Sequence, residues 1–286
     1  MLTKQSPLGA AFWMVGTIIS FTLMAISGRA ILIEINTFEL MLYRSTIGLI
    51  IVSTFIAASP RGFAQLKTGI FRQHLLRNSI HYTGQNLWFY GIATIPLAQL
   101  VALEFTNPLW VALLAPVLLG ETLSRQRLFI VFLGFIGVLI VARPGMEPLT
   151  LGHLAAILAA MGFALTNIAT RRISQRDSVL AILFWMTLLQ SVFSLFLSMP
   201  GGIPWPAASM WPWLLIMSVT GLSAHFCLGK ALSMAPATIV APMDFFRLPI
   251  SALVGMTLYE EPLMATVFIG GAVILLANYL NLKNKN

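Results

Sequence analysis

Glu104 and Asp244 are carboxylates set well inside long apolar runs, 140 residues apart. An ionisable group at membrane depth is costly and by default marks a functional site with a partner. Each follows a proline by eight residues, Pro96 and Pro236, and each precedes a phenylalanine, Phe105 and Phe245. At 1.5 Å per helical residue, both acids lie about 12 Å into the membrane, from opposite sides. Such a pair suits a cationic or amine-bearing solute, or a coupling proton. The structural alternative is an internal ion pair that holds helices together. Arg247 lies three residues after Asp244 and shares its helical face, so the two can pair. A tight pair would make Asp244 structural and leave Glu104 as the main acid. Arg44 has no acid three or four residues on, so its partner comes from another helix, and Glu104 is the expected one. Whether Arg44 grips an anionic group or only balances Glu104 stays open at this point.

His81, Gln85 and Trp88 share one face of a helix, within a run that also holds Asn86 and Tyr90. That face joins two hydrogen-bonding groups to a ring able to stack on a planar solute, with a cation–π contribution if the solute is charged. A polar stripe of this kind also serves as glue between membrane helices. At the 140-residue offset, Gln85 and Tyr90 correspond to His225 and Lys230. An unperturbed imidazole titrates near neutrality, so His225 is a candidate proton carrier; Lys230 is expected to extend to the interface. Glu121 and Glu261 stand at helix ends, where an acid caps the following helix. Cys227 is alone, which leaves no disulfide framework and no thiolate metal cluster. There is no His-Glu-x-x-His and no Gly-x-x-x-x-Gly-Lys, so neither a zinc hydrolase nor a nucleotide phosphate loop is encoded. No catalytic residue, metal or cofactor is expected.

The elements that must position these residues are greasy helices. Hydrophobic residues make up 58% of the chain and charged ones 9%, with a mean hydropathy of +0.88. Ten runs approach the roughly 20 apolar residues a membrane helix needs: 8–28, 38–58, 75–95, 97–119, 127–143, 151–171, 179–199, 211–232, 236–258 and 262–281. The runs lack the alternation of a barrel strand, so the reading is an all-α polytopic membrane protein. The first run is retained as a span, not a cleaved signal, because residues 8–29 resemble 151–172, each opening on Leu-Gly and ending on an arginine, Arg29 or Arg172. With both termini cytoplasmic, Lys4, Arg61, Lys67, Arg72, Arg77, Arg125, Arg127, Arg171, Arg172, Arg176, Lys230, Lys283 and Lys285 fall inside and only Arg29 and Arg143 outside. That spread explains the net charge of +8 and excludes a nucleic-acid binder, whose charge would cluster on one face. The tract 200–206, with Trp205, Trp211 and Trp213, reads as an exterior loop and aromatic belt.

The second half repeats the first. Pro96, Glu104, Phe105, Ala112, Leu113, Leu118 and Glu121 return as Pro236, Asp244, Phe245, Ala252, Leu253, Leu258 and Glu261. The connector Arg143-Pro144-Gly145-Met146-Glu147-Pro148 separates residues 1–143 from 151–286. Five spans per half is an odd number, so the second repeat enters the membrane inverted, and a site is expected near the midplane where the halves meet. Pro108, Pro116, Pro242 and Pro249 are expected to kink the fourth span of each half. In Gly120-Glu121-Thr122-Leu123 with Gly137, Glu260-Glu261-Pro262 with Gly270, Arg44, Pro96-Leu97-Ala98 and Ala235-Pro236-Ala237-Thr238-Ile239-Val240-Ala241-Pro242, the chain resembles the EamA-type drug/metabolite transporters. That resemblance covers nearly the whole length and implies ten helices in two inverted five-helix repeats. Ile130 departs from it, standing where the family has a glycine, and implies looser packing there. Leu75-Leu76-Arg77 and Pro144-Gly145 are similar to the branch that holds cofactor and nucleoside-conjugate uptake proteins, such as S-adenosylmethionine or riboflavin carriers. The expected function is a secondary transporter in a bacterial inner membrane, working by alternating access on a small polar metabolite, with a coupling proton or exchange solute. A membrane-embedded enzyme and a channel are the alternatives.

Overall fold

Short polar segments punctuate the apolar chain into helices in the computed structural model, which describes residues 6–119, 125–143, 148–235 and 237–283. Twelve α-helices follow one another among them: α1 (Pro7–Ile31), α2 (Thr37–Ala58), α3 (Phe71–Thr94), α4 (Leu97–Glu104), α5 (Asn107–Leu119), α6 (Arg125–Ala142), α7 (Leu151–Ile173), α8 (Val179–Ser198), α9 (Trp211–Met234), α10 (Ala237–Asp244), α11 (Arg247–Tyr259) and α12 (Ala265–Lys283). Side chains set several of the starts. Ser6 Oγ accepts from the Gly9 N–H, and Ser178 Oγ accepts from that of Ala181. Asn36 and Glu39 form a reciprocal capping box at α2, which satisfies two amides the helix leaves free.

The expected spans 97–119 and 236–258 are not continuous. Each breaks just after its acid, at Phe105-Thr106 and at Phe245-Phe246. Pro108 has no N–H to offer the Glu104 carbonyl, and Pro249 none for Phe245. The chain tightens instead, with Thr106 N–H donating to the Leu103 carbonyl and Leu248 N–H to that of Phe245. The Phe105 carbonyl freed at the break accepts from Asn278 Nδ2 of α12 at 2.8 Å. Pro108 and Pro249 therefore open second half-helices and do not kink continuous ones. Pro116 and Pro242 lie within α5 and α10, whereas Pro236, Glu121 and Pro144–Glu147 of the connector lie outside the described residues.

Packing joins the two halves of the sequence throughout. α1 runs along α9, α3 along α7, α2 along α8 and α6 along α12. The last pair meets backbone to backbone: a Cβ on Gly270 would lie 2.6 Å from the Gly137 carbonyl oxygen, and one on Gly137 would lie 2.7 Å from that of Gly270. Gly270→Val is therefore expected to lower stability by about 1–3 kcal/mol, the usual penalty of overpacking; a detergent melt matching the parent would refute it. Ile130, expected in a looser region, is fully packed in the main core, because its side chain fills the space that a glycine would leave.

The distribution of polarity is inside-out relative to a soluble protein. Leu8, Phe12, Val15, Ile19 and Leu23 form an exposed stripe along α1, while His74, Arg77, Asn78, His81 and Gln85 are buried on α3. Apolar faces outside and polar ones inside suit a bundle solvated by lipid. Six described segments are long and apolar enough to cross a membrane: Leu8–Ile31, Thr37–Ala58, Leu97–Leu114, Leu151–Ile173, Val179–Gly201 and Ala208–Met234. Two further apolar helices, Leu128–Ala142 and Ala265–Asn281, are shorter. α3 owes its polarity to the side chains it turns inward.

Candidate functional site

The helix breaks bring the two acids together. Glu104 is the last residue of α4, Asp244 the last of α10, and Arg247 the first of α11. Carboxylates at helix C-termini and a guanidinium at an N-terminus all oppose the helix dipoles, so each needs a counter-charge. They supply it to one another: Arg247 Nη2 donates to Glu104 Oε1 at 2.9 Å and to Asp244 Oδ2 at 3.3 Å. Trp88 Nε1 donates to the other oxygen of Glu104 at 2.8 Å. Phe21 and Phe105 lie against the Arg247 guanidinium, at 4.7 and 5.1 Å from ring centroid to Cζ, within cation–π range. Phe105 and Phe245, which follow the two acids, meet at 5.5 Å between rings.

Arg44 is not paired with Glu104, contrary to expectation. Arg247 and Trp88 already take both oxygens of that carboxylate. Instead Gln85 turns its side-chain oxygen to Arg44 Nη1 at 2.7 Å and Nη2 at 3.1 Å, and its amide nitrogen donates to Gln190 Oε1 at 3.0 Å. Gln190 Nε2 in turn donates to His81 Nδ1 at 2.9 Å. Accepting there places the proton of the neutral ring on Nε2. A chain of hydrogen bonds, Arg44–Gln85–Gln190–His81, thus ties α2, α3 and α8 together.

Most of these side chains line one cavity of about 340 Å³, Gln190 and Phe245 standing outside its wall. His81, Gln85, Trp88, Arg44, Glu104, Asp244, Arg247 and His225 all stand in its wall, joined by Phe21, Arg77, Asn107, Phe163, Asn167 and Thr170. His225 packs edge-on against Phe21. Lys230 is outside, over the ring of Phe226. Arg77, counted above among the cytoplasmic cations, is buried in this wall, with Nε on Thr170 Oγ1 at 3.1 Å and Nη1 on Asn78 Oδ1 at 2.6 Å. The signal for it was present: Arg77, His81, Gln85 and Trp88 are spaced by four, four and three residues, so the α3 stripe starts one turn earlier than assumed. Gln190 was also readable as the sole amide in the α8 run. Asn107 and Asn167 sit opposite each other, with the Asn167 amide donating to Asn107 Oδ1 at 3.2 Å.

A second ion pair lies outside that wall. Glu261 does not cap the helix that follows it. Its carboxylate pairs with Arg29 Nη1 and accepts from the Leu97 N–H at the start of α4, at 2.9 Å. Arg29 also donates to the carbonyls of Ile92 at 2.8 Å and Ile95 at 2.7 Å. The left-handed turn at Glu260 (φ 55°) folds Glu261 back over α11, where Gly255 leaves room for its carboxylate. This knot links the ends of α1, α3 and α11 to the start of α4.

Residues 8–143 and 150–283 each match the EamA-like transporter family. The chain belongs to that family. Among curated relatives, it is 27% identical over 265 residues to an S-adenosylmethionine uptake transporter of Rickettsia prowazekii, covering 92% of this chain and 88% of the relative. It is 26% identical over 281 residues to a riboflavin transporter of Vibrio cholerae, covering 97% and 94%. A solved crystal structure superposes with a TM-score of 0.65 over 96% of each chain at 17% identity, a likeness of fold. The transporter family and the apolar helices together make this a multi-pass membrane protein.

Proposed function

We propose that this protein is a secondary carrier that moves a small polar organic metabolite across a bacterial inner membrane by alternating access. Its ten spans, two of them broken, form two inverted five-helix repeats, 1–143 and 151–286, with both termini in the cytoplasm. The observation that carries the reading is the convergence of Glu104 and Asp244 on Arg247. They end matching half-helices of the two repeats, and they meet at the wall of one cavity built by both. Broken helices that place charged ends at a central cavity are the usual construction of a solute site in such carriers. Glu104, Arg77 and Thr170 line the cavity, and the Arg29–Glu261 knot lies outside its wall, where it would close one end of the carrier. That asymmetry suits one of two alternating states. The relatives' names place S-adenosylmethionine and riboflavin among the first solutes to try.

Counterflow in proteoliposomes tests this, using those two solutes and a panel of amino acids. Saturable exchange of at least one unchanged solute is expected. Uptake that never saturates would indicate a channel, and a chemically altered solute an enzyme; either result overturns the proposal.

A further inference from the structure

The cavity is unevenly charged. Arg247 answers to Glu104 and Asp244, Arg29 to Glu261, and His74 to Asp177. Arg44 and Arg77 have no acid within ion-pair distance among the described residues, yet they are only 8% and 7% exposed. Three guanidiniums against two carboxylates leave the wall with an excess positive charge. A buried cation without a counter-charge is a standing cost that a purely structural role does not explain.

Arg44 is also held in an unsatisfied pose. Among the described residues its Nε is buried with no partner, Met41 Sδ gives Nη1 only a weak contact at 3.7 Å, and one amide oxygen serves both Nη groups. Gly221 on α9 makes space for it, since a Cβ there would lie 2.8 Å from Arg44 Nη2. Eight residues separate Arg77 from Gln85, about 12 Å along α3, so the two arginines occupy different depths of the cavity. From this arrangement we infer that the solute carries an anionic group, a carboxylate or a phosphoryl oxygen, and that Arg44 receives it. Planar, forked donors suit both groups. Arg77, about 12 Å away along α3, draws the anion inward. Trp88 and Phe89 beside Arg44 fit an apolar or planar body attached to it.

This inference rests on the carrier reading, and its test separates the two. The purified full-length protein is melted in detergent with benzoate, phenyl phosphate or benzamide, the last a neutral twin of benzoate. Both anions are expected to raise the melting temperature and benzamide to leave it unchanged. Arg44→Gln should weaken the apparent affinity for the anions by roughly 30-fold or more, the usual loss when one member of a buried charge pair is removed. Arg44→Lys should retain part of it. Gly221→Ala, which keeps the arginine but displaces its guanidinium, should mimic the weaker binding, so the test survives if Arg44→Gln does not fold. An equal response to benzamide, no response to either anion, or unchanged anion binding in both Arg44→Gln and Gly221→Ala overturns the inference. Anion binding without counterflow of any solute would instead sink the carrier reading and leave the anion site standing.

Discussion

Arg247→Gln is expected to destabilise the protein by about 3–5 kcal/mol and to abolish solute exchange, because it strips the shared cation from two half-buried carboxylates. Glu104 and Asp244 would face each other with only the Trp88 N–H left in support. The detergent melting temperature reads the first effect, and counterflow the second. The triple variant Arg247→Gln/Glu104→Gln/Asp244→Asn should recover most of the stability, since it removes the repulsion, but none of the transport. Glu104→Gln alone keeps an acceptor for Trp88 and leaves Arg247 with Asp244, so folded yield should persist while exchange is lost. A parent-like melt for Arg247→Gln would show that the pairing carries little energy. Parent-like exchange for Glu104→Gln would make that acid structural.

Arg29→Gln is expected to open the end of the carrier that the knot would close. Arg29 holds Glu261 and two carbonyls at once, and its guanidinium lies 4.6 Å from the Tyr259 ring centroid. Without it, the Glu261 carboxylate keeps only the Leu97 N–H. Loss of about 1.4 kcal/mol from the sealed state alone would change the ratio of sealed to open molecules tenfold. A cysteine at Leu100, fully buried and three residues after Leu97 on α4, reports the change in a Cys227→Ser background. Maleimide labelling at that position should accelerate by about tenfold or more in Arg29→Gln. The exchanged pair Arg29→Glu/Glu261→Arg should restore part of the slow rate. Labelling as slow as in the parent would show that the knot is not what keeps this end shut.

Much of the architecture was legible in residue order because lipid imposes such narrow rules. Apolar runs of sufficient length must be helices. A 140-residue repeat marked Glu104 and Asp244 as equivalents, and helical spacing put His81, Gln85 and Trp88 on one face. Those residues do meet in one cavity wall. Arg77 escaped because a cation near a predicted span end reads as an interfacial one. Its burial depends on α7 supplying Thr170.

Partners were the part that spacing could not supply. Arg44 was expected to pair with Glu104, yet Glu104 had two better-placed donors, Arg247 just past the second break and Trp88 on α3. The breaks themselves depend on where a carbonyl left free at the break finds a new donor, as that of Phe105 does in Asn278 of the last helix. Glu261 read as the cap of its own next helix, but a left-handed turn sends it to Arg29 and the start of α4. Sequence by itself determined the apolar helices, the duplication and the short set of polar residues that lipid would force inward. Tertiary structure alone decided which of those polar groups neutralise one another and which stay uncompensated, because a salt bridge or hydrogen bond is settled over a few ångströms between helices that lie far apart in the chain.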